Sequence, residues 1–189
     1  RSTRVRSSAA SDVYKRQEPK CLVARQCGGC QIQEIDYSEQ LKFKERKVRN
    51  NLERIGGFDR AFLGRVMEPI CGMEEPFHYR NKAQYPIGTD REGYPVAGFY
   101  AGRTHQIIPN MVCALGKEIN TQVLEVVLDF MREFQIPAYS EETGRGLLRH
   151  VLIRTGFHTG EIMVCLIVNG TQIPVSYTHL RAHETLRHL

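Results

Sequence analysis

Three of the chain's six cysteines lie within ten residues near the N-terminus, an arrangement that can hold a metal. Cys21, Cys27 and Cys30 have the spacing C-x5-C-x2-C, and two glycines between the last two let the backbone wrap closely around a bound group. A closed site of four ligands needs one more cysteine. Cys113 is the natural candidate, because it lies in a predicted loop between a strand and a helix and lacks an apolar setting of its own.

The remaining two cysteines have no such context. Cys165 lies within the apolar run IMVCLIV and is interpreted as a small core residue. Cys71 lies in a predicted loop without a local partner, and the sequence assigns it no role.

Three kinds of cysteine site compete. Disulfides are disfavoured in a chain with no secretory signal. A zinc site usually uses two C-x2-4-C pairs, and only one such pair exists here. An iron-sulfur cluster suits an asymmetric triplet with one distant cysteine. The spacing therefore favours iron-sulfur but leaves zinc open, because the two ligand sets overlap.

Composition allows one substantial hydrophobic core. The chain has 189 residues, of which 41% are hydrophobic, so we expect one domain or one domain with a small metal-stapled lobe. No apolar run approaches the roughly 20 residues that span a bilayer, and the first residues lack the apolar stretch of a signal peptide. A cytoplasmic location is expected, with no membrane partner.

The net charge of +5 is confined to the two ends. Residues 1–17 carry +4 and residues 175–189 carry +1, so residues 18–174 are neutral overall. The sequences of both ends resemble peptides translated from sequencing adapters, and neither has a periodicity that would join a core. We therefore expect residues 1–17 to be a non-native leader and residues 175–189 a non-native tail on an internal piece of a longer protein.

Two helices are predicted. Residues 36–55 begin with an Asp36 and Glu39 capping pattern and end at a glycine pair. The second helix lies within residues 117–134, where an apolar stripe indicates the buried face. The stripe comprises Ile119, Val123, Val126, Val127 and Phe130.

Four segments have strand patterns. Residues 77–87 alternate between apolar and polar side chains, and residues 94–102 follow them after a turn. Residues 148–157 and 161–169 form a predicted hairpin. Because residues 162–168 are apolar at every position, their strand is expected to be buried on both faces and central in its sheet. The predicted fold class is α+β, with a mainly antiparallel sheet, two main helices and an N-terminal cysteine-rich lobe.

A series of motifs in order resembles one family. The motifs are CGGCQIQ, DYSEQLKFKERKVRNNLERIGGF, GMEEPFHYRNKAQYPIG, GFYAGRTHQIIP, Cys113 and GLLRHVLIRTGFHTGEIMVCLIVNG. Over nearly all of residues 21–174 the chain resembles the bacterial RNA uracil-C5 methyltransferases, and most closely the 23S ribosomal RNA members that carry a 4Fe-4S cluster. The resemblance implies that Cys21, Cys27, Cys30 and Cys113 hold the cluster.

The resemblance also implies a division into domains. Residues 18–35 would form the iron-sulfur lobe, and residues 36–174 the central RNA-binding domain, with Cys113 returning to the cluster. The family's reaction adds a cysteine thiolate to C6 of uracil, transfers a methyl group from S-adenosylmethionine to C5 and removes the C5 proton. The nucleophile, the base and the S-adenosylmethionine-binding domain would lie beyond residue 174, so no catalytic residue is expected here and the piece is expected to be inactive.

The implied partner is 23S ribosomal RNA, and no obligate protein partner is expected. Four candidate RNA contacts share one face of the predicted strand at residues 77–87, two lie in the GRTH segment and two lie on the hairpin. In that order they are His78, Arg80, Lys82, Gln84, Arg103, His105, Arg149 and Arg154. The neutral charge of residues 18–174 predicts weak RNA binding by this piece alone.

Two other functions fit the same cysteines. One is an iron-sulfur electron carrier, and the other is a zinc-stapled nucleic-acid-binding module. Under the methyltransferase interpretation the cluster is structural, because uracil methylation by this route has no net redox step at the protein.

Overall fold

A computed structural model describes residues 15–171 and 173. The predictions for the two ends lie largely outside these residues. Residues 15–17 of the predicted leader are described, and they pair with residues 34–36: the Gln17 N–H donates to the Glu34 carbonyl at 2.7 Å, and the Asp36 N–H donates to the Lys15 carbonyl at 2.9 Å. The described cysteine-rich lobe therefore includes three residues of the predicted leader.

The first predicted helix is confirmed as α1, Tyr37–Arg54. The Asp36 carboxylate accepts hydrogen bonds from the Ser38 N–H at 3.0 Å and the Ser38 hydroxyl at 2.6 Å, which satisfies a free donor of the first turn. The chain leaves the helix through Gly57, whose φ of 69° favours glycine. No residue of α1 is fully buried, so the helix lies on the surface.

A short helix that the sequence interpretation missed follows as α2, Arg60–Val66. Asp59 caps it by accepting from the Ala61 and Phe62 N–H groups at 2.9 and 3.0 Å, and Leu63 is its one buried residue. Seven residues are too few to show a clear helical period, which explains the omission.

The second predicted helix is confirmed as α3, Ile119–Glu133, but its buried stripe was partly wrong. Val127 is buried as predicted, whereas Val126 is 69% exposed. The helix carries two overlapping apolar stripes. The sheet packs against the stripe that the sequence interpretation did not select. The buried residues are Asn120, Leu124, Val127, Leu128 and Met131.

The β-strands form one antiparallel sheet in the order β3-β2-β1-β4-β5, and this confirms the α+β fold class. The strands are β1, Lys82–Thr89; β2, Pro95–Tyr100; β3, Ile107–Pro109; β4, Leu148–Thr155; and β5, Ile162–Val168. The predicted hairpin of β4 and β5 is confirmed, and so is the pairing of β1 with β2.

The two faces of the sheet differ in chemistry. One face packs against α3 and forms the core, in which Tyr85, Val151 and Ile153 are almost completely buried. On the other, called here the outer face, Lys82 pairs with Arg154 and Gln84 with Leu152 in the β1–β4 register. The single α3 layer thus leaves the polar row of β1 uncovered in the described part of the chain.

The predicted strand at residues 77–87 was wrong in its first half. The strand begins at Lys82, and His78 has a φ of 51°, which no extended strand allows. Instead, the His78 and Arg80 N–H groups donate to the carbonyls of Ala114 and Leu115 at 3.0 and 2.9 Å. This pairing joins segments more than thirty residues apart, so local alternation could not predict it.

The prediction of a central, doubly buried β5 was wrong. Within the described residues β5 pairs with β4 alone and forms an edge of the sheet. Ile162, Met163 and Val164 are 43%, 47% and 42% exposed, and Cys165, predicted to lie in the core, is exposed. An apolar run predicts a strand that favours burial, but it does not reveal which segment covers it.

No helix in the described part of the chain combines the length and hydropathy that crossing a membrane would require.

Candidate metal centre

Four cysteines that are far apart in sequence line one small cavity between the N-terminal lobe and the loop that precedes α3. They are Cys21, Cys27, Cys30 and Cys113, the four that the family resemblance implies as ligands. Cys21 is buried and the other three are half-buried. The fold therefore brings the distant Cys113 to the N-terminal triplet.

A close backbone contact holds the cysteine-rich lobe against the sheet. The Gly28 N–H donates to the Tyr100 carbonyl at 2.9 Å, and Cys27 forms a bridge with Ala101. A Cβ on Gly28 would lie 2.9 Å from the same carbonyl oxygen, so this position has no room for a side chain. The approach to β2 therefore requires glycine at position 28.

Cys113 is positioned by the hydrogen bonds that join residues 78–80 to residues 114–115. The Gly116 N–H donates to the Cys113 carbonyl at 2.9 Å, which closes a turn over residues 113–116. His78 holds that turn from the other side, because its Nδ1 lies 2.8 Å from the Gly116 carbonyl oxygen. The loop before α3 is therefore fixed by residues 78–80 rather than by the cysteine alone.

Three N–H donors point at the sulfur atoms. The Gly29 N–H lies 3.3 Å from Cys27 Sγ, Gln33 Nε2 lies 3.7 Å from Cys30 Sγ, and Asn110 Nδ2 lies 3.7 Å from Cys21 Sγ. Such donors stabilise charge on thiolate sulfur and tune bound clusters. The sequence interpretation missed Gln33 and Asn110. The signal that could have identified them is their spacing, because each amide side chain lies three residues from a proposed ligand, Cys30 or Cys113.

Two of the four thiols, those of Cys27 and Cys30, are stabilised in their neutral form. Burial raises the pKa of Cys27 and Cys30, and the neighbouring thiols raise it further. Arg80 opposes this effect at both thiols, and for Cys27 the Gly29 N–H opposes it as well. A bound metal cation supplies the missing positive charge and deprotonates coordinating thiols.

The described side chains do not already form a coordination sphere. Among residues 15–171 and 173, no group of three or more His, Cys, Asp or Glu is arranged to hold a metal ion. The donor set nevertheless fits an iron-sulfur group, because four thiols surround one cavity and N–H groups donate to three of their sulfurs.

The sequence interpretation placed four predicted RNA contacts, His78, Arg80, Lys82 and Gln84, on one strand face. The structure does not bring these four side chains to a common face. Arg80 lines the cysteine cavity and His78 holds the 113–116 turn. Lys82 and Gln84 are exposed on the outer face, where Arg154 is the cross-strand partner of Lys82.

Two of the other predicted RNA contacts, His105 and Arg149, line an open cleft together with Tyr100. The His105 ring meets the Tyr100 ring edge-on, with the centroids 5.3 Å apart. Arg149 donates to one Glu141 oxygen from two nitrogens, at 2.8 and 3.1 Å, and lies over the Tyr139 ring. Arg103 is exposed in a turn, with a φ of 68°. The pairing of Arg149 with Glu141 offsets part of its charge for an RNA phosphate.

Proteins that are named RNA methyltransferases are similar in sequence to this chain. An uncharacterized RNA methyltransferase of Halalkalibacterium halodurans is 45% identical over 175 residues, which are 92% of this chain and 37% of that protein. An uncharacterized RNA methyltransferase of Clostridium tetani is 40% identical over 159 residues, 84% of this chain and 33% of that protein. No protein-family model matches the chain.

A solved structure shares the fold. The crystal structure of Pyrococcus abyssi tRNA (uracil-54, C5)-methyltransferase in complex with S-adenosyl-L-homocysteine superposes with a TM-score of 0.62 at 25% identity, over 82% of this chain and 34% of that one. The chain belongs to the RNA methyltransferase family, as its motifs predicted. It spans about a third of the length of the relatives it matches.

Proposed function

We propose that this chain is a segment of an S-adenosylmethionine-dependent methyltransferase that modifies C5 of uracil in 23S ribosomal RNA. Its relatives are named RNA methyltransferases, and the solved neighbour is a uracil-C5 enzyme that binds S-adenosyl-L-homocysteine. The motif series quoted above favours the ribosomal RNA branch of the family. A ribosomal RNA substrate places the enzyme in the cytoplasm.

Within that enzyme, Cys21, Cys27, Cys30 and Cys113 hold a 4Fe-4S cluster. The observation that carries this proposal is the single cavity that all four line. When bound, the cluster supplies a covalent link between the N-terminal lobe and the loop before α3. Because that link closes a long loop between Cys30 and Cys113, it restricts the unfolded chain and stabilises the fold.

The segment contributes RNA contacts rather than the methyl transfer step. Lys82 and Arg154 lie side by side on the outer face, and Gln84 adds an amide that can hydrogen-bond to RNA. These side chains would help to hold the folded RNA while the target base is presented elsewhere in the enzyme.

The nucleophile, the general base and the S-adenosylmethionine pocket belong to the part of the longer relatives that this chain does not span. Cys165 is exposed, so burial no longer argues against this cysteine as the nucleophile. The remaining reason is that no cofactor loop occurs among the residues that the structure describes: Gly144 and Gly146 precede strand β4, whereas a cofactor loop follows a strand and opens a helix.

Purification under anaerobic conditions tests the proposal against its two rivals. Iron with acid-labile sulfide and no methyl transfer to 23S RNA supports the proposal. Zinc without sulfide would instead identify a zinc-stapled nucleic-acid-binding module. A cluster that cycles with a redox partner while RNA binding is absent would identify an electron carrier. Methyl transfer by this chain alone would contradict the assignment of the catalytic groups to another part of the enzyme.

A further inference from the structure

An open cleft lies between helix α1 and the cysteine-rich lobe, beside the cysteine cavity, and it is called here the α1 cleft. Cys30, Gln33 and Arg80 line both the cleft and the cavity, so they form the wall between them. Three cations, of which Arg80 is one, and three aromatic rings line the cleft. They are Lys20, Lys44 and Arg80, and Tyr37, Phe77 and Tyr79.

The charge of the α1 cleft is positive although residues 18–174 are neutral overall. Lys20, Lys44 and Arg80 line it, and Glu18 is the one acidic side chain among the described residues of its lining. Three lining cations therefore face one lining carboxylate, and Glu18 itself lies 3.8 Å from Arg25, a residue that also pairs with Glu34 at 2.8 Å. A local excess of cations is what a bound polyanion requires when the whole domain carries no net charge.

Aromatic rings lie among these cations. Lys20 Nζ lies 4.1 Å from the centre of the Phe77 ring, which holds the ammonium group at the cleft. Tyr79 lines the same cleft with 42% of its surface exposed. Alternating cations and exposed rings bind single-stranded nucleic acid, because phosphates meet the cations and bases stack on the rings.

We propose that the α1 cleft binds an unpaired stretch of RNA, with phosphates at Lys20 and Lys44 and a base on Tyr79. This inference rests on the proposed RNA-binding function and assigns a second RNA surface to it, separate from the outer face of the sheet. Because the cleft shares a wall with the cysteine cavity, the RNA lies against the cluster-binding lobe. Filling the cysteine site then stabilises one wall of the RNA site.

Lys44 and Lys42 provide a matched pair for the test. Both are exposed lysines of α1, but they lie about 200° apart around the helix. Lys42 pairs with Glu39 at 2.7 Å, and it does not line the cleft. Arg80 is less suitable for the test, because it also acts on the pKa of the cysteine thiols.

The experiment measures binding of the anaerobically purified chain to a fluorescein-labelled, unstructured RNA oligonucleotide over a series of KCl concentrations. Lys44→Ala should weaken binding and reduce the slope of log K against log salt by about 0.7, the value for one lost phosphate contact on a single strand. Lys20→Ala should add a similar reduction, Lys44→Arg should restore the slope, and Lys42→Ala should leave it unchanged.

Circular dichroism checks that each variant is folded, and iron content checks that it holds the cluster. Equal slopes for Lys44→Ala, Lys42→Ala and the unsubstituted chain would overturn the α1 cleft while leaving the proposed function in place. Failure of the unsubstituted chain to bind RNA at low salt would count against both.

Discussion

The Gly28 N–H donates a hydrogen bond to the Tyr100 carbonyl oxygen at 2.9 Å, and this contact fixes the cysteine-rich lobe to the end of β2. The same carbonyl oxygen would lie 2.9 Å from a Cβ on Gly28. Since Cys27 and Cys30 flank this contact, the position of two proposed ligands depends on a backbone approach that only glycine allows.

Gly28→Ala tests that dependence. The added methyl group would collide with backbone atoms of Tyr100 and Gly102, which cannot move aside as a flexible side chain can. We expect a loss of about 1–3 kcal/mol in the free energy of unfolding, measured by urea denaturation, together with a lower iron content. Gly64→Ala is the control, because a Cβ at this position would meet no neighbouring atom within 4 Å and alanine favours the helix. Equal stability of the two variants would show that the approach to Tyr100 does not require glycine.

Tyr85→Phe tests the polar contact inside the core. Tyr85 is completely buried, and its hydroxyl accepts a hydrogen bond from Asn120 Nδ2 at 3.2 Å. Removing the hydroxyl leaves the buried Asn120 amide without this partner, so we expect a loss of about 1–3 kcal/mol in the free energy of unfolding. Tyr94→Phe, at a residue that is 55% exposed, should change stability little. An unchanged free energy of unfolding in Tyr85→Phe would show that the Asn120 amide finds another acceptor.

The same tyrosine gives a dependence at high pH. Burial raises the pKa of Tyr85 to about 12, against 10.0 for a free tyrosine. Because the folded state keeps its proton where the unfolded chain loses it, stability should fall as the pH rises from about 10 toward 12. The Tyr85→Phe variant should show a smaller decline over that range, and an identical decline would contradict the shift.

His150 is expected to titrate below its ordinary range. Burial lowers the pKa of His150 from 6.5, and Arg149 lowers it further, while Glu141 acts in the opposite direction. The unfolded chain takes up this proton more readily, so the contribution of His150 to stability is present above about pH 6.5 and is lost as the pH falls through the lower folded value. Titration of the imidazole signals by NMR measures the shift. A pKa of His150 at or above 6.5 would contradict it.

Local sequence signals predicted the elements whose causes are local. Asp36 marked the start of α1, and the glycine at position 160, with a φ of 69°, closed the predicted hairpin. The cysteine spacing likewise singled out Cys21, Cys27 and Cys30, which line the cavity, whereas Cys113 was added from its loop context and the family resemblance. Each of these signals involves side chains or turns whose conformational preferences are set within a few residues.

Apart from α2, which is too short to show a helical period, the failures depend on contacts between distant segments. His78 and Arg80 leave the strand pattern because they pair with residues 114–116. Lys20 and Lys44 meet at one cleft although no helical period relates one to the other. The apolar β5 lies at a sheet edge, and its sequence records a preference for burial rather than the identity of a neighbour.

The most direct test of the central claim is the iron and acid-labile sulfide content of the anaerobically purified chain, compared with that of Cys113→Ser. Cys71→Ser is the matched control, because Cys71 is an exposed cysteine outside the cavity. We predict about four iron and four sulfide per chain for the unsubstituted protein and for Cys71→Ser, and a large loss for Cys113→Ser. Zinc in place of iron, or full iron and sulfide in Cys113→Ser, would contradict the assignment of a 4Fe-4S cluster to Cys21, Cys27, Cys30 and Cys113.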